Sequence, residues 1–434
     1  MLFRSSKELW RDGRGRQFAP EEYFNVGGKT KWYGAALLRY GRHEFDADPA
    51  HQCLAWPIGY EELRPYYEEA EALLGIRTFA TEPDLLRIVA RLQSNSPVWK
   101  TEPLPLGLAS SILDHPLEAA RFDGFASAAG LKSDGETVFL SRLQSMPNVS
   151  IFTGVAVVDL IGKPGSPHRI TGVRLEDGRV LQAEAVLLAA GALHSPRILA
   201  RYLERSGLGD VLPSAQVVGR NLKLHLLTAV IALSASRKTD LIRKTTLLLN
   251  DALPHSSVQP LGFDGELIAT LVPGLAPRFV ARQIGHRAYG FFLQTEDGSH
   301  PDNRVLAGDL PTLDYDAGRL GSAEREHRRL VDTFKLALGR AGMPAFSQRI
   351  GLAGTAHACG TLLAGNDPQQ SVVDPRGRVH GLPSLYVVDG SVLPRSSRVN
   401  PSLTIYSWSL RVAQALAMEL RERRSTTERE AIAS

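Results

Sequence analysis

The amino-acid sequence predicts an α/β fold with an α+β second part, and three observations carry that prediction. The run AVLLAA (185–190) is continuously apolar, as in a strand covered on both faces, and it ends at Gly191 before the helical pattern SPRILARYLERSGLG. The block LPSLYVVDGSVLP (382–394) repeats the arrangement, with a buried strand ending in Asp389-Gly390. Between His225 and Met343 the chain is β-rich and irregular and closes on one amphipathic helix, which places a second layer or domain beside the first.

Each element has its own justification. NVGGKTKWYGAALLR (25–39) opens on Gly27 and Gly28, a loop where backbone can approach a flat molecule because no Cβ obstructs it. WPIGYEELRPYYEEAEALLGI (56–76) sets Leu63, Tyr66, Tyr67, Ala70 and Leu74 near helical spacing with acids between them, a helix that covers a core. From Asn148, VSIFTGVAVVDLIG and RITGVRLEDG read as short strands, with Asp177-Gly178 as a hairpin turn. Ser195 and Pro196 read as N-cap and first residue of the helix after Gly191. In SAEREHRRLVDTFKLALGRAG (322–342), Leu330, Val331, Phe334, Ala337, Leu338 and Ala341 form one apolar stripe. Asn400-Pro401 starts a last helix to about Leu420, and 425–434 reads as a tail.

With 434 residues, 43% of them hydrophobic, the chain can bury a sizeable core and hold two or three domains. Lys plus Arg exceed Asp plus Glu by only four, with signs interspersed, so a nucleic-acid partner is not indicated. The run Arg421–Arg424 reads as a solvated helix end. Two cysteines, Cys53 and Cys359, are too few for a disulfide framework, which fits a reducing, cytoplasmic location. No apolar stretch reaches the roughly 18 residues of a membrane helix.

The block HACGTLLAGNDPQQSVVDPRGRVHG (357–381), followed by Asp389-Gly390 and NPSLTIYSWSLR (400–411), is where chemistry is expected. His357 stands among small residues with room for a substrate, and imidazole suits proton transfer near neutrality; the competing reading is a structural histidine. Asn400 before Pro401 is explained by capping alone, although a first helical turn also attracts anions. Cys359, two residues from His357, raises a Cys/His nucleophile as a rival. GxSxG, CxxC, HExxH and P-loop motifs are absent, so hydrolase and metalloenzyme readings lack a signature.

Together these stretches resemble the glucose-methanol-choline (GMC) oxidoreductases, flavoenzymes that oxidise alcohols, over nearly the whole length. VGGKTKWYGAALLR is similar to the family's flavin-proximal glycine loop, and Trp56–Ile76 to the helix after it. AAGALHSP, VGRNL (218–222), HPDNRV (300–305) and the succession HxxGT, VVD, VVDGS and NPSLT match the remaining blocks in order. The resemblance implies an FAD-binding Rossmann-like domain with an antiparallel-sheet substrate domain. The flavin domain would be discontinuous, over 1–60, 130–225 and 350–424, with 61–129 and 226–349 forming the substrate part and covering helices. It further implies FAD as cofactor, a small-molecule alcohol (sugar, polyol or amino alcohol) as substrate, and hydride transfer to flavin N5. Oxygen, a quinone or a cytochrome remain open as electron acceptor.

Carried onto matching positions, the resemblance makes His357 the base and Asn400 its partner on the substrate oxygen. Gly27, Gly28 and Thr30 would face the isoalloxazine, Val155 the adenine end, Asp389 and Gly390 the ribityl and pyrophosphate, and Pro401 with Ser402 the pyrimidine edge; Asn400 would also contact the cofactor. One departure stands out: the family opens with a strand and a GxGxxG turn that cradles the pyrophosphate, and this sequence contains no such fingerprint. The flavin domain is thus expected to be incomplete at its N-terminus. The rival expectation is a truncated, catalytically silent remnant that serves at most as a binding or scaffold protein.

Overall fold

The structure, a computed structural model, describes residues 8–270, 277–308 and 310–433. The first seven residues of the opening segment and Ser434 of the expected tail lie outside the described residues. Its largest sheet has six antiparallel strands in the order Ala345–Arg349, Leu226–Leu233, Ala288–Thr295, Ser256–Pro260, Thr246–Asn250, Trp99–Pro103. Because side chains alternate along a strand, Val230, Val258, Phe291 and Leu293 share one face, buried under the helices Pro83–Asn95 and Gly321–Arg340. The long helix meets them with Leu330, Phe334, Ala337 and Leu338, the stripe expected from its spacing. Register pairs place Leu227, Ser257 and Gln294, then Ala229, Gln259 and Phe292, on the opposite face. That face looks toward residues 395–400.

The α/β part is built around Val186–Leu188 and Leu385–Val387, paired in parallel. The final helix crosses this pair, its Trp408 Nε1 donating to Val387 O at 3.1 Å and Ser409 Oγ to Val388 O at 2.6 Å. The helix Tyr60–Leu74 packs alongside, Tyr67 Oη and Thr404 Oγ1 sharing a 2.7 Å hydrogen bond. The strands Val157–Lys163, Ser166–Leu175 and Val180–Gln182 form the expected meander, with Gly178 at φ +87 in the turn. A small fourth sheet joins Arg304–Leu306, Thr312–Asp314, Trp10–Asp12 and Gln17–Phe18.

Three expectations need correction. Strand 185–190 is not covered on both faces: Val186 and Leu188 are buried, but Leu187 is 39% exposed, and among the described residues the strand has a single neighbour. Ser195 and Pro196 do not start their helix, which runs Gly191–Ser206. Ser195 is fully buried inside it, its hydroxyl accepting from Ala190 N–H. Pro196, lacking an N–H, leaves the Ala192 carbonyl without its usual i+4 partner, and Thr361 Oγ1 donates to that oxygen at 2.7 Å. The last helix spans Ser402–Ala433, past Leu420 and into the expected tail, because no glycine or proline interrupts it after Pro401.

The two parts are pinned at residues 395–398 by three buried carboxylates, Glu44, Glu296 and Asp297. Arg395 forks onto Glu296 at 2.8 and 2.6 Å, and Ser397 N–H donates to the same carboxylate at 3.1 Å. Glu44 accepts from Ser397 Oγ at 2.7 Å and Arg398 N–H at 2.9 Å, and Asp297 from Ser396 Oγ at 2.7 Å. Arg395→Met takes the guanidinium away from buried Glu296 and leaves His255 as its remaining side-chain counter-charge, so urea unfolding should show a loss of about 3 kcal/mol, the low end of the range for breaking a buried pair. The double variant Arg395→Met/Glu296→Leu should lose clearly less than Arg395→Met alone.

Candidate active site

The pinned turn ends at Asn400, and the loop 354–361 carries His357 against it. Asn400 Nδ2 lies 3.4 Å from His357 Nε2, and Asn400 Oδ1 accepts from Gln259 Nε2 at 2.6 Å. The amide is therefore engaged sideways, toward the sheet and the imidazole; the capping role expected of Asn400 is not what its side chain performs. The helix Ser402–Ala433 begins beside it, and the first N–H groups of a helix have no intrahelical acceptor. On the other edge of the ring, His357 Nδ1 is 3.1 Å from Nδ1 of His225, whose Nε2 is 2.7 Å from Ser397 O. Burial, with His225, Lys244 and Lys29 nearby, holds the His357 imidazole well below the ordinary histidine range, so it is unprotonated at neutral pH.

The glycine loop reaches this site through Lys29, whose Nζ donates to Thr355 O at 2.7 Å and pairs with Glu22 at 2.6 Å. Gly27 and Gly28 have φ +80 and +55, and a Cβ at Gly28 would meet open space. Thr30 Oγ1 closes the loop, donating to Gly27 O at 2.5 Å and accepting from Gly135 N–H at 2.9 Å. Asp389 binds two turns together: Gly191 N–H at 2.8 Å and Ser195 Oγ at 2.5 Å on one oxygen, Ser391 N–H at 2.9 Å on the other. Gly390 lies against Ala358 O and Ile405, where an added Cβ would be 3.4 and 3.0 Å away. Val155 stands apart, in the loop before Val157–Lys163, and no hydrogen bond joins its segment to His357 or Asn400 among the described residues.

Sequence reasoning missed His225, Gln259, Gln294 and the three carboxylates. Their signals were slight: a histidine three residues after VGRNL, and single glutamines at inward positions of otherwise apolar or hydroxyl-bearing strands. The Cys359 nucleophile is overturned. That thiol is fully buried in backbone pairing with Lys223, and burial pushes its pKa up to about 12.

Residues 25–227 match the N-terminal and residues 324–408 the C-terminal pattern of the family described as GMC oxidoreductase. The chain belongs to the GMC oxidoreductases. Among curated relatives, it is 30% identical to paromamine 6'-oxidase of Streptomyces fradiae, over 95% of this chain and 82% of that one. It is 29% identical to 6'''-hydroxyparomomycin C oxidase of Streptomyces lividus, over 96% and 83%. Fructose dehydrogenase large subunit of Gluconobacter japonicus is 24% identical, over 92% and 81%. Among solved structures, pyridoxine 4-oxidase from Mesorbium loti superposes with TM-score 0.66 at 19% identity, over 95% and 88%. Formate oxidase of Aspergillus oryzae RIB40 gives 0.67 at 15%, over 96% and 89%.

This GMC protein is accordingly an oxidoreductase and a flavoprotein with FAD as cofactor. A glycine loop open at Gly28, the helix N-terminus at Ser402 and half-buried His357 near Asn400 are features such a flat, anionic group would use. At the phosphate end, no strand with a glycine turn and helix pairs with Val186–Leu188 among the described residues. No helix among the described residues is long and apolar enough to cross a membrane.

Two outcomes are expected. His255 sits 3.0 Å from both Asp48 and Glu296 and stacks on His51; burial opposes its charge, but Glu296 lifts its pKa above the ordinary value. Its stabilising contribution is then complete below about pH 6.5 and disappears as pH rises through the elevated folded value. Urea melts should therefore show His255→Gln costing more at pH 6 than at pH 9. A thiol-directed electrophile at neutral pH should label neither buried cysteine in the folded chain and both after denaturation.

Proposed function

We propose that the chain oxidises a CH–OH group of a small hydroxylated molecule, with amino sugars the favoured class, His357 the base and Asn400 the hydrogen-bond donor to the substrate oxygen. The observation that carries this is the 3.4 Å approach of Asn400 Nδ2 to His357 Nε2 at the mouth of a helix N-terminus. Bound FAD supplies the hydride acceptor for the carbinol hydrogen. An imidazole kept neutral by burial is free to take the hydroxyl proton, and the amide N–H is free to hold the oxygen as charge develops there. Gly27, Gly28, Thr30, Pro401 and Ser402 hold the ring in this reading, Asp389 and Gly390 the ribityl and pyrophosphate, and Val155 the adenine end.

The substrate class is supported by two buried acceptors. Gln259 Oε1 and Gln294 Oε1, on the sheet face beside Asn400, have no hydrogen-bond partner among the described residues, whereas their amide nitrogens are used. A polyhydroxylated or ammonium-bearing ring offers donors for such atoms, and the two Streptomyces relatives are named as oxidases of paromamine and of 6'''-hydroxyparomomycin C.

A second reading rests on the uncovered strand Val186–Leu188: a GMC-like chain without its phosphate cradle that stays colourless and acts at most as a binding or scaffold protein. Incubation with FAD and removal of excess separates the two. The enzyme reading expects a yellow protein bleached by an amino-sugar alcohol, and a colourless protein sinks it. His357→Ala should keep its flavin and lose a factor on the order of 10²–10⁴ in kcat; equal loss of flavin and turnover would assign His357 a structural role. The acid limb of kcat/KM should lie below pH 6.5, because His357 resists protonation.

A further inference from the structure

We propose that His225 is a positioning residue that fixes the tautomer of His357, leaving Nε2 of His357 bare as the atom that takes the substrate's hydroxyl proton. The inference rests on the function proposed above for the meaning of that proton, but its geometry stands by itself.

The reasoning starts at a carbonyl. Ser397 C=O only accepts, so the imidazole nitrogen 2.7 Å from it, Nε2 of His225, carries a hydrogen. A neutral imidazole has one N–H, so Nδ1 of His225 is a lone pair. The atom facing that lone pair at 3.1 Å is Nδ1 of His357, which must then be the donor. His357 has no second hydrogen, and its Nε2 is the acceptor. Asn400 Nδ2 donates toward it from 3.4 Å, and Asn400 Oδ1 is left to accept from Gln259 Nε2 at 2.6 Å. Four groups are thus polarised in one direction by a single peptide oxygen.

The backbone is shaped to deliver this arrangement. His225 and Ser397 both have left-handed φ, +64 and +69, a conformation that non-glycine residues adopt only when their surroundings enforce it. Ser397 is enforced by Glu44 and Glu296, and Leu224 N–H, next to His225, by Asp297 at 2.7 Å. Among the described residues no carboxylate bonds His225; its two ring nitrogens face Ser397 O and His357 Nδ1. In the reaction the substrate O–H bond breaks, its proton joins His357 Nε2, and the carbinol hydrogen leaves with its electron pair to FAD. The Nδ1–H of the resulting imidazolium stays donated to His225. His225 touches neither substrate nor cofactor in this scheme and acts through His357.

The test is long-range ¹⁵N–¹H NMR of the full chain labelled in histidine, with His357 assigned from His357→Gln. An isolated histidine favours the Nε2–H tautomer, so the expected wild-type result, Nδ1–H with a bare Nε2, is not the default. His225→Asn tolerates the positive φ and keeps an acceptor at Oδ1, so it should retain that pattern. His225→Leu should convert His357 to Nε2–H and lower kcat on the order of 10²-fold with flavin content unchanged. An Nε2–H His357 in the wild type overturns the proposal even if the leucine variant does not fold, and so does a leucine variant with the wild-type pattern. A chain with the expected tautomer that oxidises no alcohol would refute the proposed function and leave the tautomer assignment intact.

Discussion

The buried pair of Glu296 and Arg395 is the constraint on which the site depends. Taking both charges out of water is expensive, and the geometry is worthwhile only because every partner is supplied: the guanidinium forks onto the carboxylate, Ser397 and His255 take its remaining lone pairs, and Asp46 O accepts from the other side of the arginine. Both groups are essentially fully buried. The pair adds little net stability beyond what a well-packed apolar pair would give, but it admits one placement of the turn. From that placement Ser397 O reaches His225, Arg398 O accepts from Ser257 and Gln294, and Asn400 arrives beside His357.

The same constraint joins the two layers. Glu296 and Asp297 follow the strand Ala288–Thr295 of the large sheet, Glu44 belongs to the segment after the glycine loop, and Arg395 follows the Asp389-Gly390 turn of the α/β part. One cluster of carboxylates therefore sets how the sheet's polar face meets the helix N-terminus. Thr361 adds a second tie. It satisfies the carbonyl freed by Pro196 and so anchors the loop of His357 to the helix Gly191–Ser206. Proline inside a helix, costly alone, becomes the docking point for the loop that carries His357.

Much of this was legible in the sequence because it is local. The stripe of Leu330, Phe334 and Leu338, the Asp177-Gly178 turn, the glycine loop at Gly27 and the Asp389 turn each depend on residues within a few positions. His357 and Asn400 were legible as candidates, and the order of motifs pointed to the family. What escaped is made across the fold. His225 and His357 are 132 positions apart, and Glu44 and Ser397 are 353 apart, so no periodicity records their meeting. Asn400 misled because its local chemistry suits a cap equally well, and only Gln259, 141 positions away, turns its amide elsewhere. Ser195 misled for the same reason, its hydroxyl being claimed by Asp389 from 194 positions away.

The measurement that tests the central claim most directly is anaerobic rapid mixing of the FAD-loaded chain with an amino sugar bearing a primary alcohol, and with the same sugar deuterated at the carbinol carbon. The account predicts loss of the oxidised-flavin absorption band at a rate that slows several-fold on deuteration, since the C–H bond breaks in the step that His357 assists. An unchanged band, or bleaching at a rate indifferent to deuterium, would contradict it.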